Sequence, residues 1–154
     1  MLIQFVVGAV VSSINIMIHA TVTVAAIGIA RRAGLQDTAR PRLHLMAVMV
    51  ATATVLIAAH TAEVFVWALT YSVLGAASAE GDLLYFAFVN YTTLGYGDIT
   101  PVPKWRLLGP MAAMNGILLF GWSTAVLFEV LRKTLAHLAA IAPPGSVFSS
   151  EDRN

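Results

Sequence analysis

The residues with the most chemistry to offer stand together in one short stretch, Thr92-Thr93-Leu94-Gly95-Tyr96-Gly97-Asp98. Gly95 and Gly97 alternate with Leu94 and Tyr96, and glycine adopts left-handed and right-handed backbone conformations with similar ease. Alternating handedness turns successive carbonyls toward the same side. A strip of carbonyls aimed at one axis, and repeated around that axis, replaces the hydration shell of a cation; the Thr93 hydroxyl adds a further ring of oxygens. Such a strip suits a monovalent, weakly hydrated ion. A magnesium or calcium site brings carboxylates or waters, and the only carboxylate in this stretch is Asp98, at its outer end. A short helix in front of the strip would aim its negative dipole end at the strip's inner end and favour a cation there.

A second polar group lies within apolar sequence. His60 and Glu63 are three residues apart, so on a helix they share a face, roughly 25 to 30 Å from the cytoplasmic end of their segment by helical rise. Ionisable groups inside a membrane are costly and mark function by default. On an earlier segment Ser12, Asn15 and His19 form a polar stripe at spacings of three and four. With the two segments antiparallel, Ser12 and Asn15 come to the depth of His60 and Glu63, and a hydrogen-bonded glue between two helices is expected. His19, His60 and Glu63 are zinc-ligand types, but the same depth count puts His19 a couple of turns too deep, which argues against a zinc site. Glu129 with Arg132 and Lys133 fits a charged membrane edge, and secondarily a ring that concentrates cations at an inner mouth. Trp67, Tyr71, Trp105 and Tyr85 fall near an expected outer interface, where an aromatic belt is the default.

The composition places all of these groups in a bilayer. The chain has 154 residues, 58% hydrophobic and 11% charged, with a mean hydropathy of +0.80; soluble chains carry about 25% charged residues. Nine Lys and Arg against eight Asp and Glu leave a net charge of +1, so nothing points to nucleic acid or to an acidic solvating tail. The absence of cysteine removes disulfides, thiol nucleophiles, iron–sulfur clusters, thioether-bound haem and all-thiolate zinc sites. Residues 3–30 carry no charge, 45–75 only Glu63 and 107–131 only Glu129. Each is long enough to cross a hydrocarbon core of about 30 Å, which gives three spanning helices. The first lacks the basic start and the short apolar run of a signal peptide.

Between the second and third spans, Ser78-Ala79-Glu80-Gly81-Asp82 opens the apolar run Leu83–Val89. Small polar and acidic residues mark a helix N-terminus, and the run is too short to cross. It fits a re-entrant helix, whose irregular continuation is tolerated at depth only where protein shields it or water lines it. Arg31, Arg32, Arg40 and Arg42 oppose a lone Asp37 in the linker, Arg132 and Lys133 follow the last span, and the other side holds only Lys104 and Arg106. The positive-inside bias therefore puts the linker and C-terminus in the cytoplasm and the N-terminus outside. Pro143-Pro144-Gly145 and the polar end Ser149–Asn154 suggest a short tail. No internal repeat is present.

Thr92 to Asp98, behind a short apolar helix and ahead of a spanning one, resembles the selectivity filter of potassium channels of the pore-loop superfamily. Gly116-Ile117-Leu118-Leu119-Phe120-Gly121-Trp122-Ser123-Thr124-Ala125 is similar to the inner helix of small bacterial potassium channels at its two glycines, Ile117, Phe120, Thr124 and Ala125. The resemblance covers about residues 45–135 and leaves an extra N-terminal helix, which has no arginines and so is no voltage sensor. The implied fold is an all-α membrane protein assembling as a tetrameric pore. Its parts are an N-terminal transmembrane helix 1–30, a cytoplasmic basic linker 31–44, a pore domain 45–135 and a short cytoplasmic tail 136–154. Within the pore domain lie an outer helix 45–75, a pore helix 82–92, a filter 93–98 and an inner helix 105–132.

The resemblance further implies that Thr93, Leu94, Gly95, Tyr96 and Gly97 bind potassium as the permeant ion, with no cofactor, and that Thr92, Asp98, Tyr85, Phe86 and Val89 support the filter. Gly116, Ile117, Phe120, Thr124 and Phe128 would line and gate the pore; the last four lie at spacings of three, four and four on one helical face. One filter segment per chain requires a homotetramer, a multi-pass protein of the cell membrane whose partners are potassium ions and lipids, and no nucleic acid. Many relatives carry Trp in the pore helix where this chain has Tyr85 and Phe86, and some carry Glu where it has Val89, so a different anchorage of Asp98 is expected. The first inner-helix glycine is a proposed hinge in that family, while close packing through small residues accounts for Gly116 and Gly121 equally well. Besides a passive potassium-selective channel, a poorly selective monovalent cation channel and a non-conducting regulatory subunit stay open. An enzyme is disfavoured, because no nucleophile with base and oxyanion site, no phosphate-cradling loop and no catalytic metal constellation can be assembled.

Overall fold

The computed structural model describes residues 1–34, 40–77 and 82–141. It is helical, with no strand beyond one isolated bridge among the described residues. Three long helices, α1 (Leu2–Gly34), α2 (Pro41–Leu74) and α4 (Leu108–Ile141), are long and apolar enough to cross a membrane. The fourth, α3 (Leu83–Tyr91), has nine residues and at 1.5 Å per residue reaches only about 13 Å.

Local chemistry explains where these helices start and stop. Pro41 opens α2 at the first helical position, where its missing N–H costs nothing. At the other end the amides of Gly75 and Ala76 return to the carbonyls of Ser72 (3.2 Å) and Tyr71 (2.9 Å), the Schellman pattern that closes a helix. Asp82 caps α3, its carboxylate accepting from the amides of Leu84 (3.0 Å) and Tyr85 (3.1 Å). Within the long helices Ser13, Thr21, Thr52, Thr54, Thr70 and Thr134 each donate to the carbonyl four residues back, so polar side chains stay satisfied in apolar surroundings.

Several expected bounds shift. Helix α1 runs to Gly34 and α2 begins at Pro41, so both extend into the 31–44 linker, of which residues 35–39 lie outside the described residues. A short turn at Pro103–Trp105 precedes α4, which starts at Leu108 rather than at 105 and continues to Ile141 rather than ending at 132. No glycine or proline interrupts the sequence between Gly121 and Pro143, so nothing stops the helix where a tail was expected at 136. Residues 142–154 of the expected tail, with the polar end Ser149–Asn154, and the Ser78–Gly81 part of the helix-start signal lie outside the described residues.

The chain divides into two compact units, each drawing on all three long helices. The first combines Met1–Thr21 with Ala58–Trp122, around a core that includes Val64, Trp67, Tyr71, Phe86, Tyr91 and Leu108. An antiparallel bridge of Ala77 with Pro101, and a hydrogen bond from the Val102 amide to the Ala76 carbonyl (2.9 Å), tie the end of α2 to the segment that precedes α4. The second unit, from Val22–Ile57 and Ser123 onward, packs Val48, Leu56, Val126 and Val130 with Ile27 and Leu127. On its surface Glu129 pairs with Arg132 (2.9 Å) and Lys133 (2.7 Å).

The aromatic belt is corrected for three of its four members. Trp67 and Tyr71 are fully buried and Trp105 nearly so. Spaced four apart, Glu63, Trp67 and Tyr71 share one face of α2, and that face meets protein. The Trp67 indole N–H donates to Asn115 Oδ1 on α4 (3.1 Å), and the Tyr71 ring lies 4.9 Å from Phe86 of α3. Only Tyr85 keeps substantial exposure.

Candidate functional site

The loop after α3 is built from the end of that helix. The amide of Thr92 returns to the Phe88 carbonyl (2.9 Å), that of Thr93 to Asn90 (3.0 Å), and those of Leu94 and Gly95 both to Val89 (2.9 and 3.2 Å). The last carbonyls of α3, left without helical partners, thereby hold the loop's donors. The amides from Thr92 to Gly95 thus turn back into the helix. Among the described residues no carbonyl of 93–97 accepts a hydrogen bond.

Backbone handedness alternates along the loop. Positive φ occurs at Thr93 (63°), Gly95 (57°) and Gly97 (78°), while Leu94 and Tyr96 between them stay on the negative side. The two glycines are anticipated on conformational grounds. Thr93 is not, and a β-branched residue in left-handed backbone is a genuine outlier. Such strain persists only where the surroundings enforce it, and it concentrates at functional loops. Every residue from Thr92 to Asp98 is exposed on the single chain.

Asp98 is anchored by Tyr85, whose hydroxyl donates to Oδ2 (2.8 Å), while Oδ1 accepts from the Ile99 amide (3.0 Å). The hydrogen bond to Asp98 raises the Tyr85 phenol above its ordinary pKa. Phe86 and Val89 are buried, and the Thr92 hydroxyl donates to the Phe88 carbonyl (2.7 Å).

Glu63 gathers the intramembrane polar residues. Its buried carboxylate meets His19 Nδ1 through Oε1 (2.8 Å) and His60 Nδ1 through Oε2 (3.1 Å), and the Tyr91 hydroxyl donates to Oε2. Asn15 donates from Nδ2 to the Glu63 backbone carbonyl (3.2 Å) and to Asn115 Oδ1 (2.9 Å), which also takes the Trp67 indole. His19 therefore is not too deep to reach the pair. Side chains on a helix lean toward its N-terminus, so on antiparallel helices His19 and Glu63 lean toward each other and close the gap left by counting Cα positions. The same lean carries Ser12 away. It is half-buried and makes no hydrogen bond to His60 or Glu63. Asn115 and Tyr91, which complete the network, escaped the sequence reading; a lone amide inside the third apolar segment was the available signal.

On α4 the residues named for the pore differ in setting. Ile117, Phe120 and Phe128 expose 61%, 39% and 66% of their surface on the single chain; Thr124 is exposed too. Phe120 also stacks on His60, ring centroids 4.4 Å apart. Gly116 is buried, and a Cβ there would overlap the carbonyl oxygen of Tyr91, the last residue of α3. Gly121 has open space around it. Within the chain, close packing against α3 accordingly constrains Gly116, whereas nothing in the chain packs against Gly121.

Three membrane-length helices, a short helix between the second and third, and a loop of alternating handedness define a membrane protein of the pore-loop kind. The family model described as "Ion channel" matches residues 43–133, and the chain belongs to that ion-channel family. No curated protein and no solved structure matches it significantly.

Proposed function

We propose that the chain is one subunit of a homotetrameric channel that conducts potassium passively and selectively, without enzymatic chemistry. The observation that carries this reading is the backbone of Thr93 to Gly97, where φ is positive at every second residue and no carbonyl is used within the described residues. Four such strips around an axis supply stacked rings of oxygens that take the place of an ion's water. The absence of a carboxylate between Thr93 and Gly97 favours a monovalent ion, because divalent ions retain carboxylates or waters. Tyr96 between the two glycines favours potassium over sodium by its likeness to potassium-channel filters. Tyr85, through Asp98, holds the outer end of the strip. Ile117, Phe120, Thr124 and Phe128 line the path beyond its inner end. The N-terminus lies outside the cell and the C-terminus in the cytoplasm, as the basic residues require.

Purified protein reconstituted alone in liposomes tests the proposal. A thallium or potassium flux, with a reversal potential close to potassium equilibrium under a potassium-against-sodium gradient, is the expected result. A reversal potential near zero would make it a poorly selective cation channel instead. No flux from a well-folded tetramer would leave a non-conducting subunit, and a monomeric or dimeric particle in mild detergent would overturn the assembly.

A further inference from the structure

The group around Glu63 holds more than glue between helices requires. Oε1 and Oε2 of one carboxylate face two imidazole Nδ1 atoms, at 2.8 and 3.1 Å, and the Tyr91 hydroxyl oxygen lies 2.9 Å from His60 Nδ1. One ligand-type atom from each of His19, His60 and Glu63 falls within 4.8 Å of the others. The donors come from α1, α2 and α3, so they surround a point instead of lining one face. We propose that His19, His60, Glu63 and the Tyr91 hydroxyl form an intramembrane site for a divalent transition metal of the zinc kind. The site stands whether or not the chain conducts potassium.

The donor set selects the ion class. Imidazole nitrogen suits zinc, copper, nickel and iron, whereas calcium and magnesium demand oxygen throughout. Two nitrogens and two oxygens match the tetrahedral preference of zinc. Metal–donor lengths of about 2.0–2.2 Å place tetrahedral donors about 3.3–3.5 Å apart. The contacts of His19 and His60 with Glu63 and of Tyr91 with His60 are a few tenths of an ångström closer than that, and one ligand atom from each of His19, His60 and Glu63 lies within 4.8 Å of the others, so side-chain adjustment without movement of the helices brings the donors around an ion. Binding replaces the Nδ1···O contacts by Nδ1–metal and O–metal bonds: each imidazole binds in its neutral form with the proton on Nε2, and the Tyr91 hydroxyl, which donates to Glu63 without the metal, binds as phenolate, its proton leaving to solvent.

The surroundings fit a held ion. Asn15 fixes Glu63 through its backbone carbonyl, the outer support that metal ligands commonly have. Trp122 stands 5.5 Å from the His19 ring and Phe120 4.4 Å from that of His60, an apolar wall that strengthens charge–ligand attraction. A metal ion also offsets the cost of keeping a carboxylate in this interior. Side-chain exposure is 12% at His60 and 0% at His19 and Glu63, which makes the His60 edge the way in.

The test uses the full chain without a histidine tag, purified in detergent, stripped with chelator and titrated with Zn²⁺ or with Co²⁺ as a spectroscopic probe. One ion per chain should bind saturably, with the intense visible d–d bands of tetrahedral cobalt and displacement of cobalt by zinc. His19→Asn and His60→Asn should each weaken zinc binding by at least about tenfold, on the scale seen when even outer supports are removed, and Tyr91→Phe should change the cobalt spectrum. His137→Asn, in the second unit, should leave both unchanged. Because Glu63 variants risk unfolding, the half-buried His60 carries the decision. Absence of saturable binding in the wild type, or zinc affinity and cobalt spectrum unaltered in His60→Asn, overturns the site.

Discussion

Replacing Gly116 by Ala pits two physical effects of opposite sign against each other. In a helix interior Ala is favoured over Gly by about 1 kcal/mol, through backbone entropy alone, so ordinary helix behaviour predicts a more stable protein. At Gly116 the added Cβ would overlap the Tyr91 carbonyl oxygen. That obstacle is backbone at the end of α3 and cannot rotate away as a flexible side chain does. Overpacking of this kind costs about 1–3 kcal/mol, and a backbone obstacle belongs at the upper end. The net expectation is a loss of roughly 2 kcal/mol per chain, about 30-fold in the folding equilibrium. Gly121→Ala, with nothing within 4 Å of its added carbon, supplies the control and should be neutral or stabilising. Denaturant unfolding of both variants in one detergent, followed by tryptophan fluorescence, measures the difference. Equal stabilities, or a stabilised Gly116→Ala, would refute the packing role and return Gly116 to the hinge reading.

Gly97→Ala adds a Cβ at a φ of +78° and should cost about 1–2 kcal/mol per chain; it should abolish potassium flux while the native mass of the assembly is kept, and normal conduction would discredit the carbonyl-ring account. Tyr85→Phe removes the hydroxyl that holds Asp98 at 2.8 Å and should hasten the decline of flux during sustained conduction, an effect that Asp98→Asn should largely reproduce; unchanged time courses in both would mean the contact does not support the loop. Asn15→Ala deletes two buried hydrogen bonds, to Glu63 and Asn115, and should destabilise by about 1–3 kcal/mol in the same unfolding assay; a change below about 0.5 kcal/mol, the scale of a neutral surface substitution, would count against the network. A label attached ahead of Met1 should react with an impermeant reagent on intact cells and one at Gly34 should not, the reverse pattern overturning the proposed orientation.

Much of this protein follows from residue order alone. Hydropathy marks the long helices because an unsatisfied backbone in lipid is so costly that an apolar run of that length has few other fates. Thr92 to Asp98 is legible because glycine placement encodes backbone handedness locally, and Gly95 and Gly97 carry the expected positive φ. The positive φ of Thr93 was not legible, since it depends on the amides of Leu94 and Gly95 being drawn onto the Val89 carbonyl. Which face of each long helix meets protein was equally hidden. In lipid both the buried and the outward faces are apolar, so the periodic contrast that betrays the core side of a soluble helix is missing. Trp67 and Tyr71 accordingly suggested an interface and proved to be core. Counting residues placed His19 too deep because it follows Cα positions, whereas contact is made by side chains that lean toward the start of their own helices. Tertiary structure alone brought His19, His60, Glu63 and Tyr91 onto one point, because that point is defined by three helices whose residues are up to 72 positions apart in the chain, from His19 to Tyr91.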